Sequence, residues 1–525
     1  MKNQIIDEIK KILPYDIILE QPKNKNLAHY ACPVAFCLAK EFKKSPKIIA
    51  EELADKFRNS KIFNVSALNG YLNFKLKAEF LAEISGEALK NGENFASEKE
   101  KTSPTTLLEY ISANPTGPLH IGHVRGAVYG DTLQRVSNYL GYKMQTEYYI
   151  NDAGNQIDLL GISMILRAKE LAGEEVIYPD KYYRGEYIDE ILKIAKEKFG
   201  DEILKDEKKL SDFAKDEVLK IIKKDLADAG IEISNWISEK SLYNELEGTI
   251  KKLEKSGKMY EKEGKIWIAS IQNGDEKDRV VVREDGRPTY LAGDIIYHNN
   301  KFERNFDHYI NIWGADHHGY VARLKAAINF LGYDENRLEV VLMQMVSLLK
   351  NGETFKMSKR AGNVVLMSDI LEEIGKDALR FIFISKSGNS PLEFDIDELK
   401  KEDSTNPIFY INYAHARVNQ VFGKAGKNVE QIIDENFENL DEDALNLVFE
   451  ALRLNEILNE ALKSRSLQKI PDFLKSLAGD FHKYYNENRV IGSDNENARL
   501  KVFAVVALCI RTAFSLMGLE AKAKM

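Results

Sequence analysis

A strand-to-helix turn with two closely spaced histidines constrains this chain more than any other segment. Residues 113–123 read ANPTGPLHIGH, so His120 and His123 end a loop that is broken by glycine and proline. An apolar strand pattern precedes the loop, apolar residues at helical spacing follow it, and 145–150 predict the next strand. The motif therefore lies on the first turn of a β-α-β unit, where backbone N–H groups and the helix dipole favour an anion. A spacing of three puts both imidazoles on one helix face.

A lysine-rich loop near the far end of the α/β region is the second informative motif. It contains Lys356, Ser358 and Lys359 and follows a turn signal at Asn351-Gly352. By itself such a loop is more often a solvated basic segment. The two motifs together, in this order, resemble the signature motifs of the class I aminoacyl-tRNA synthetases. The resemblance implies an α/β fold with a Rossmann-like parallel sheet, and activation of an amino acid by ATP.

The chemistry of that class explains why these side chains are needed. An amino-acid carboxylate attacks the α-phosphate of ATP and pyrophosphate leaves, so the protein mainly positions reactants and neutralises charge. We expect His120 and His123 to donate hydrogen bonds to phosphate oxygens, and Lys356 and Lys359 to follow the β- and γ-phosphates. These four are the predicted catalytic residues. Mg²⁺ is expected with the ATP, held mainly by phosphate oxygens and water, with no dedicated metal site in the protein.

Further ATP contacts are expected at a second strand-to-helix crossing. The run WGADHHG at 313–319 follows an apolar strand pattern, at the sheet edge where α/β proteins bind ligands. The resemblance implies adenosine contacts there. The Asp-His-His run could instead hold a metal ion, but no cysteine or glutamate stands at ligand spacing nearby. The predicted ATP-binding residues are Pro115, Gly117, Gly122, Gly314, Asp316, His317 and Ser358.

Several other stretches are similar to one family within the class, the arginyl-tRNA synthetases. Their order along one sequence is more specific than any single stretch. The resemblance implies that ATP, L-arginine and tRNA(Arg) are the substrates. The stretches are YYINDAGNQI at 148–157, GDEKDR at 274–279, TYLAGD at 289–294, WGADHHG at 313–319, DALR at 377–380 and NPIFYINYAHAR at 406–417.

The predicted arginine-binding residues are Ser112, Asn114, Tyr290 and Asp294. A guanidinium group is planar and always charged, so carboxylates and neutral acceptors recognise it best. Tyr290 and Asp294 share a face if their stretch is helical, and the resemblance assigns the matching pair to the arginine side chain. Asp294 could also be a helix cap or a surface carboxylate. Ser112 and Asn114 are expected at the α-amino end. Some relatives carry glutamine against the substrate near 316–318, and this departure leaves the role of that run open.

Pattern shifts divide the chain into three predicted domains. Residues 1–101 predict an N-terminal α+β domain, which the resemblance assigns to the tRNA elbow. Residues 102–368 predict the catalytic domain, with a charged helical insertion at about 167–254 that has no assigned role. Residues 369–525 predict an all-α helix bundle, which reads the anticodon in the family.

Two residues of the predicted bundle are the predicted tRNA-binding residues. Tyr413 and Arg417 are of the types that stack on unpaired bases. Aromatic residues at helical spacing more often belong to a hydrophobic core than to a binding surface. We therefore expect some of the neighbouring aromatic residues to be structural and the others to contact RNA.

Composition agrees with an ordinary soluble enzyme. The net charge of −8 argues mildly against nucleic acid, but an RNA ligand needs only a local basic surface. Three cysteines are too few for a disulfide framework or a zinc ribbon, so we expect a cytoplasmic protein. We expect no membrane-spanning run, no membrane partner and a monomeric enzyme.

Two alternatives remain at this point. A class I synthetase for another amino acid is disfavoured because cysteinyl and methionyl relatives commonly use zinc ligands or large cysteine-bearing insertions. A tRNA-binding regulatory protein derived from a synthetase would be supported by degraded histidine or lysine motifs. Both motifs are intact in this chain.

Overall fold

Two units make up the chain in the computed structural model, which describes residues 1–22, 24, 27–354 and 365–525. One unit combines Met1–Glu98 with Lys401–Met525, and the other is Lys99–Lys400. The first and last segments of the sequence therefore pack together, while the middle segment forms a unit by itself. The predicted domain boundaries near 101 and 368 stay predictions.

The N-terminal segment of the first unit is a small antiparallel sheet with helices. Its elements are α1 (Lys2–Ile12), β1 (Tyr30–Cys32), α2 (Val34–Phe42), α3 (Pro46–Asp55), β2 (Phe63–Leu68), β3 (Tyr71–Leu76) and α4 (Ala78–Asn91). The strand order is β1-β3-β2. Asn69 and Gly70 have φ of 52° and 85° and form the two-residue turn between β2 and β3, as an Asn-Gly pair favours.

The second unit is built on a parallel sheet with helices. Its elements are β4 (Thr105–Glu109), α5 (Ile121–Tyr139), β5 (Lys143–Ile150), α6 (Asn155–Leu171), α7 (Glu186–Phe199), α8 (Glu207–Asp228), β6 (Asn235–Ser238), α9 (Glu239–Leu242), α10 (Leu246–Glu254), β7 (Met259–Lys262), β8 (Lys265–Ile268), β9 (Arg279–Val282), α11 (Tyr290–Glu303), β10 (His308–Gly314), α12 (Val321–Phe330), β11 (Leu338–Met343), β12 (Val346–Lys350), β13 (Glu353–Thr354), α13 (Met367–Ile384), β14 (Leu392–Asp395) and α14 (Ile396–Leu399).

The order of the main sheet is β11-β10-β4-β5-β6, with all neighbouring pairs parallel. Leu108 on β4 lies opposite Ile310 on β10, and both are buried, as expected for strands covered on both faces. Because β4 and β10 are parallel neighbours, the loops that follow them leave the same edge of the sheet. The predicted Rossmann-like fold is confirmed.

The segment predicted as a helical insertion consists mainly of helices joined by loops, and it also contains β6, which pairs with β5 as an edge strand of the main sheet. Its sequence, Asn-Trp-Ile-Ser, is too short and too polar to give a strand signal against a charged background. Two smaller three-stranded sheets complete this unit in its described part, in the orders β7-β8-β9 and β13-β12-β14.

A buried polar network fixes α11 against the sheet. Lys301 on α11 donates to Glu109 on β4 at 2.5 Å and to Asn311 on β10 at 2.8 Å. Arg304 and Tyr297 both donate to Glu147 on β5. Removing one partner of such a buried ion pair typically costs about 3–5 kcal/mol. Charged contacts to β4 and β5 therefore fix the position of the helix that carries Tyr290 and Asp294.

The C-terminal segment of the first unit is the predicted helix bundle. Its helices are α15 (Pro407–Ala425), α16 (Glu442–Leu452), α17 (Leu454–Ser464), α18 (Lys469–Glu487) and α19 (Glu496–Met517). The bundle packs on the N-terminal sheet, where the rings of His29 and Phe449 pack in a tilted arrangement with centroids 4.2 Å apart. His29 Nδ1 accepts from the backbone N–H of Leu76 at 2.9 Å, and its Nε2 lies 3.2 Å from Asn446 Oδ1.

The expectation that no run could span a membrane needs correction for α19. Among the described residues this helix alone is long and apolar enough to do so by length and composition. Its most apolar window is 89% buried within the structure. A helix that is apolar on all sides suits the centre of a bundle.

Candidate active site

His120 and His123 lie at the start of α5 and cap it together. His120 is the N-cap residue, and its Nδ1 accepts a hydrogen bond from the backbone N–H of Gly122 at 3.1 Å. His123 Nδ1 accepts from the backbone N–H of His120 at 3.3 Å. This is a capping box in which two imidazoles replace the usual hydroxyl and carboxylate. It places both rings, 3.8 Å apart between centroids, at the end of the helix that favours anions.

Burial keeps both imidazoles neutral. It lowers the pKa of His120, and together with the neighbouring His120 it lowers the pKa of His123 to about 3. A neutral imidazole carries one N–H, and Nδ1 of each ring already accepts a hydrogen bond. The proton of each ring is therefore on Nε2, which makes both Nε2–H groups donors.

Gly122 is needed by the ring of His120. A Cβ on residue 122 would lie 2.9 Å from His120 Cε1 and 3.1 Å from its Nδ1. Glycine at this position therefore lets the imidazole of His120 lie over the first turn of α5. This is a second reason for glycine, in addition to the close approach of a nucleotide.

The loop before His120 leaves β4 through an unusual backbone conformation. Ile111 and Ser112 have φ of 72° and 42°, a region that β-branched residues rarely occupy. Ser112 Oγ donates to Glu109 Oε1 at 2.9 Å and accepts from the backbone N–H of Tyr149 at 3.1 Å. Along the same loop Asn114 is exposed, Pro115 is buried and Gly117 is half-buried.

A short backbone ladder joins this loop to the residues that follow the lysine motif. Ile121 N–H donates to Val365 O at 2.9 Å, and Met367 N–H donates to Leu119 O at 2.8 Å. His120 and Leu366 form an antiparallel bridge between them. The predicted residues Lys356, Ser358 and Lys359 themselves lie outside the described residues.

The second strand-to-helix crossing lies at the same sheet edge. Gly314 ends β10, and Asp316 and His317 belong to a 3-10 helix over Ala315–Tyr320. Both side chains are exposed, and His317 Nε2 lies 3.6 Å from Asp316 Oδ2. A Cβ on Gly314 would clash with Asp316 Oδ1, so a larger residue there would require the exposed Asp316 side chain to move. Among the described residues no group of three or more His, Cys, Asp or Glu side chains is placed to hold a metal ion.

Tyr290 and Asp294 share one face at the start of α11, as the spacing predicts. The hydroxyl of Tyr320 donates to the carboxylate of Asp294. Burial raises the pKa of Asp294 to about 6, against the effect of the Tyr320 hydrogen bond. Tyr290 is 56% exposed, and its hydroxyl lies 3.9 Å from the Cβ position of Gly154, which has a φ of +89°. The pair thus presents a phenol and a carboxylate beside the 152–154 loop.

Glu239 is a site residue that the sequence did not reveal. It is 5% exposed at the start of α9, and its Oε1 lies 2.6 Å from the Cβ position of Gly293, the residue before Asp294. Tyr243 donates to Oε1 at 2.9 Å, while Oε2 is buried without a hydrogen-bond partner among the described residues. Burial, with smaller contributions from Asp294 and Asp152, raises the pKa of Glu239 to about 7. A second carboxylate therefore approaches the N-terminal turns of α11.

Tyr413 and Arg417 form a half-buried cluster on α15 in the other unit. Arg417 donates to the Tyr413 hydroxyl at 2.6 Å, and its guanidinium lies 4.3 Å and 4.7 Å from the ring centroids of Tyr413 and Tyr485. His482 Nδ1 lies 3.2 Å from the same guanidinium. Other aromatic and polar candidates are buried as structural residues: His415, Phe481 and Tyr484. His415 Nδ1 lies 2.9 Å from the carbonyl oxygen of Lys522, near the chain end.

The parallel sheet, the histidine-capped helix after its first strand in chain order and the appended helix bundle define a class I aminoacyl-tRNA synthetase. The class I tRNA synthetase (R) catalytic domain matches residues 85–423. The arginyl tRNA synthetase N-terminal domain matches 1–76, and the DALR anticodon binding domain matches 411–525. The chain belongs to the arginyl-tRNA synthetase family.

Relatives cover the whole chain. It is 70% identical to the arginine–tRNA ligase of Campylobacter curvus and 59% identical to that of Campylobacter lari, with 100% of this chain and at least 99% of each relative aligned. A crystal structure from Campylobacter jejuni described as a putative arginyl-tRNA synthetase covers 86% of this chain and 100% of its own, at 57% identity and a TM-score of 0.84. The Thermus thermophilus arginyl-tRNA synthetase shares the fold over 100% of both chains, with a TM-score of 0.77 at 20% identity.

Proposed function

We propose that this chain joins L-arginine to tRNA(Arg) in two steps. Arginine and ATP first form arginyl-adenylate and pyrophosphate, and the arginyl group then passes to the terminal ribose of the tRNA. The observation that carries the proposal is the pair of neutral histidines at the N-terminus of α5, each with Nε2–H as its donor.

In the first step a carboxylate oxygen of arginine attacks the α-phosphorus of ATP. The bond to the bridging oxygen breaks, and pyrophosphate leaves with the electron pair. We assign His120 and His123 to donate Nε2–H to phosphate oxygens as charge develops on them. A neutral donor suits this task because no proton has to be transferred.

We assign Lys356, Ser358 and Lys359 to the leaving pyrophosphate. The ladder between 119–121 and 365–367 supports this assignment, because it brings Val365, six positions after Lys359, beside His120. Lysine ammonium groups on flexible stems can follow the phosphates as the bond breaks.

We assign recognition of the arginine side chain to Asp294, Tyr290 and Glu239. Two carboxylates with raised pKa values are costly to ionise without a cation, and a guanidinium supplies that cation with a fork of donors. Ser112 and Asn114, at the start of the loop that leads to His120, are assigned to the α-amino group of arginine.

We assign the remaining ATP contacts to Pro115, Gly117 and Gly122 on the first crossing, and to Gly314, Asp316 and His317 on the second. Both crossings follow neighbouring strands, which supports a nucleotide lying across them. Mg²⁺ would bind with ATP and neutralise phosphate charge, held mainly by phosphate oxygens and water.

We propose that residues 1–101 contact the tRNA elbow, that 102–368 carry the chemistry and that 369–525 read the anticodon. The Tyr413–Arg417–Tyr485 cluster supports the last assignment, since its stacked guanidinium and partly exposed phenols suit unpaired bases. A monomeric enzyme in the cytoplasm remains part of the proposal.

The test is exchange of labelled pyrophosphate into ATP with each amino acid, with and without total tRNA. Exchange with arginine alone among the amino acids supports the proposal. Exchange with another amino acid would retain the class and overturn the specificity. No exchange from folded protein that still binds tRNA would favour the regulatory protein.

A further inference from the structure

Tyr187, on the first turn of α7 in the helical insertion, contacts the loop that leads to His120. Its hydroxyl donates to the carbonyl oxygen of Thr116 at 2.8 Å, and the residue is 9% exposed. A Cβ on Gly117 would lie 3.3 Å from the same hydroxyl oxygen. One tyrosine side chain thus bonds to one residue of the loop and packs against the next.

A second tyrosine holds the same loop from the main sheet. The hydroxyl of Tyr148 on β5 donates to the carbonyl oxygen of Ala113 at 2.8 Å. Ala113 lies between Ser112 and Asn114, which are assigned to arginine, whereas Thr116 lies between Pro115 and Gly117, which are assigned to ATP. The two hydroxyls therefore hold different halves of the loop.

The insertion also reaches the loop close to His120. The backbone N–H of Leu119 faces the carboxylate of Asp225 on α8, which opposes the burial that raises the pKa of Asp225 to about 6. Helices α7 and α8 of the insertion thus both contact the segment from Thr116 to Leu119.

We propose that Tyr187 is a positioning residue for ATP. Its hydrogen bond to Thr116 fixes the conformation of the 115–119 loop. The inference rests on the proposed function and adds a role for the insertion in adenylate formation. A buried carbonyl that loses its tyrosine partner becomes free to shift toward water. The loop would then hold the nucleotide less tightly, while the carboxylates on α9 and α11 are unaffected.

The first experiment compares three Tyr→Phe variants by pyrophosphate exchange in the presence of tRNA. Tyr187→Phe is expected to raise the KM for ATP about five-fold, the equivalent of about 1 kcal/mol, with an unchanged KM for arginine. Tyr148→Phe is expected to raise the KM for arginine more than the KM for ATP. Tyr178→Phe is the matched control, because its hydroxyl bonds to Glu170 at 2.9 Å inside the insertion without touching the loop.

A second experiment uses the contact with Gly117. Gly117→Ala adds a methyl group against the Tyr187 hydroxyl, and Tyr187→Phe removes that oxygen. The increase in ATP KM caused by Gly117→Ala should therefore be at least about three-fold smaller in the Tyr187→Phe background than in the parent, at equal melting temperatures.

The outcomes separate this inference from the proposed function. A parent enzyme without arginine-dependent exchange would defeat the proposed function and the inference together. An active parent with an unchanged ATP KM in Tyr187→Phe would overturn the inference alone. Equal rises in both KM values with a lowered melting temperature would also overturn it, because that pattern indicates a general structural role.

Discussion

The backbone N–H of His120 donates to Nδ1 of His123 at 3.3 Å, so the first histidine of the motif fixes the tautomer of the second. His123→Asn keeps an acceptor near the position of Nδ1 and removes the Nε2–H donor, whereas His123→Ala removes both. We expect both variants to slow adenylate formation by at least about 100-fold while arginine binding survives. Only the alanine variant should also lose about 1 kcal/mol of stability with the cap. Pyrophosphate exchange and thermal unfolding check this, and near-normal turnover in His123→Asn would remove the catalytic assignment.

Glycine substitutions at three positions of α5 distinguish effects on the active site from effects on the stability of the fold. Gly122→Ala should reduce exchange strongly, because its Cβ would lie 2.9 Å from the His120 ring. Gly126→Ala is the control, with a Cβ 3.5 Å from Ile312 in ordinary contact, and should stay active. Gly130→Ala should lower the melting temperature, since its Cβ would lie 2.5 Å from the ring of Tyr110. Equal activity losses at 122 and 126 would contradict the role of Gly122.

Removing the charge of Glu239 or Asp294 should weaken the binding of arginine more than the binding of ATP. Glu239→Gln keeps the side-chain shape but loses the charge, and a charge-assisted hydrogen bond contributes about 1.5–3 kcal/mol. We therefore expect the arginine KM to rise about 10- to 100-fold, with the ATP KM within about two-fold of the parent value. Asp294→Asn should behave alike, and Glu245→Gln, which removes a carboxylate that accepts from Asn300 on α11, serves as the control. An unchanged arginine KM in Glu239→Gln would exclude that residue from the site.

The same carboxylates predict how arginine binding depends on pH. The pKa values of Asp294 and Glu239 are raised to about 6 and about 7 in the free protein, while arginine stays a cation. Arginine affinity should therefore fall as the pH drops from about 8 to about 6, in steps that belong to the pair. Raised carboxyl pKa values also mean that the free protein loses stability as the pH rises from about 4, near the unfolded values, to the folded values of about 6 and about 7, and arginine should restore it. Calorimetric titration in the parent and in Glu239→Gln tests this, and a flat profile in the parent would contradict it.

Arg417 offers a test of the anticodon assignment. Arg417→Ala removes the guanidinium between Tyr413 and Tyr485 and should raise the tRNA KM about ten-fold, from the loss of stacking. Lys424→Ala, which removes one exposed positive charge from the same helix, should have a smaller effect. Arginylation at varied tRNA concentration measures both, and equal effects would reduce Arg417 to a general electrostatic contribution.

The features that could be predicted from the sequence are those fixed by local spacing. The two histidines had to lie on one turn because they are three positions apart, and Tyr290 and Asp294 had to share a face once their segment was helical. Glu239 could not be found in this way. It stands in a charged segment with no distinctive pattern, and it reaches α11 only because β6, just before it, joins the main sheet.

The unusual backbone at Ile111 and Ser112 was equally hidden, because neither residue type signals a positive φ. The all-round burial of α19 depends on how many helices surround it, which its own sequence does not state. Tertiary packing decided each of these features, and local propensity did not.

The backbone ladder at Leu119–Ile121 limits the distance between the lysine motif and the histidine loop. Lys359 lies six residues before Val365, so its Cα can lie at most about 21 Å from a point that is joined by backbone hydrogen bonds to the histidine loop. Lys356 lies two residues after the end of β13, within about 7 Å of that strand. The chain from β13 to Lys356 is thus shorter than the chain from Lys359 to the ladder. A deletion between 360 and 364 would shorten the connection from Lys359 to the ladder, leave the connection from β13 to Lys356 unchanged, and should impair pyrophosphate release while arginine binding is retained.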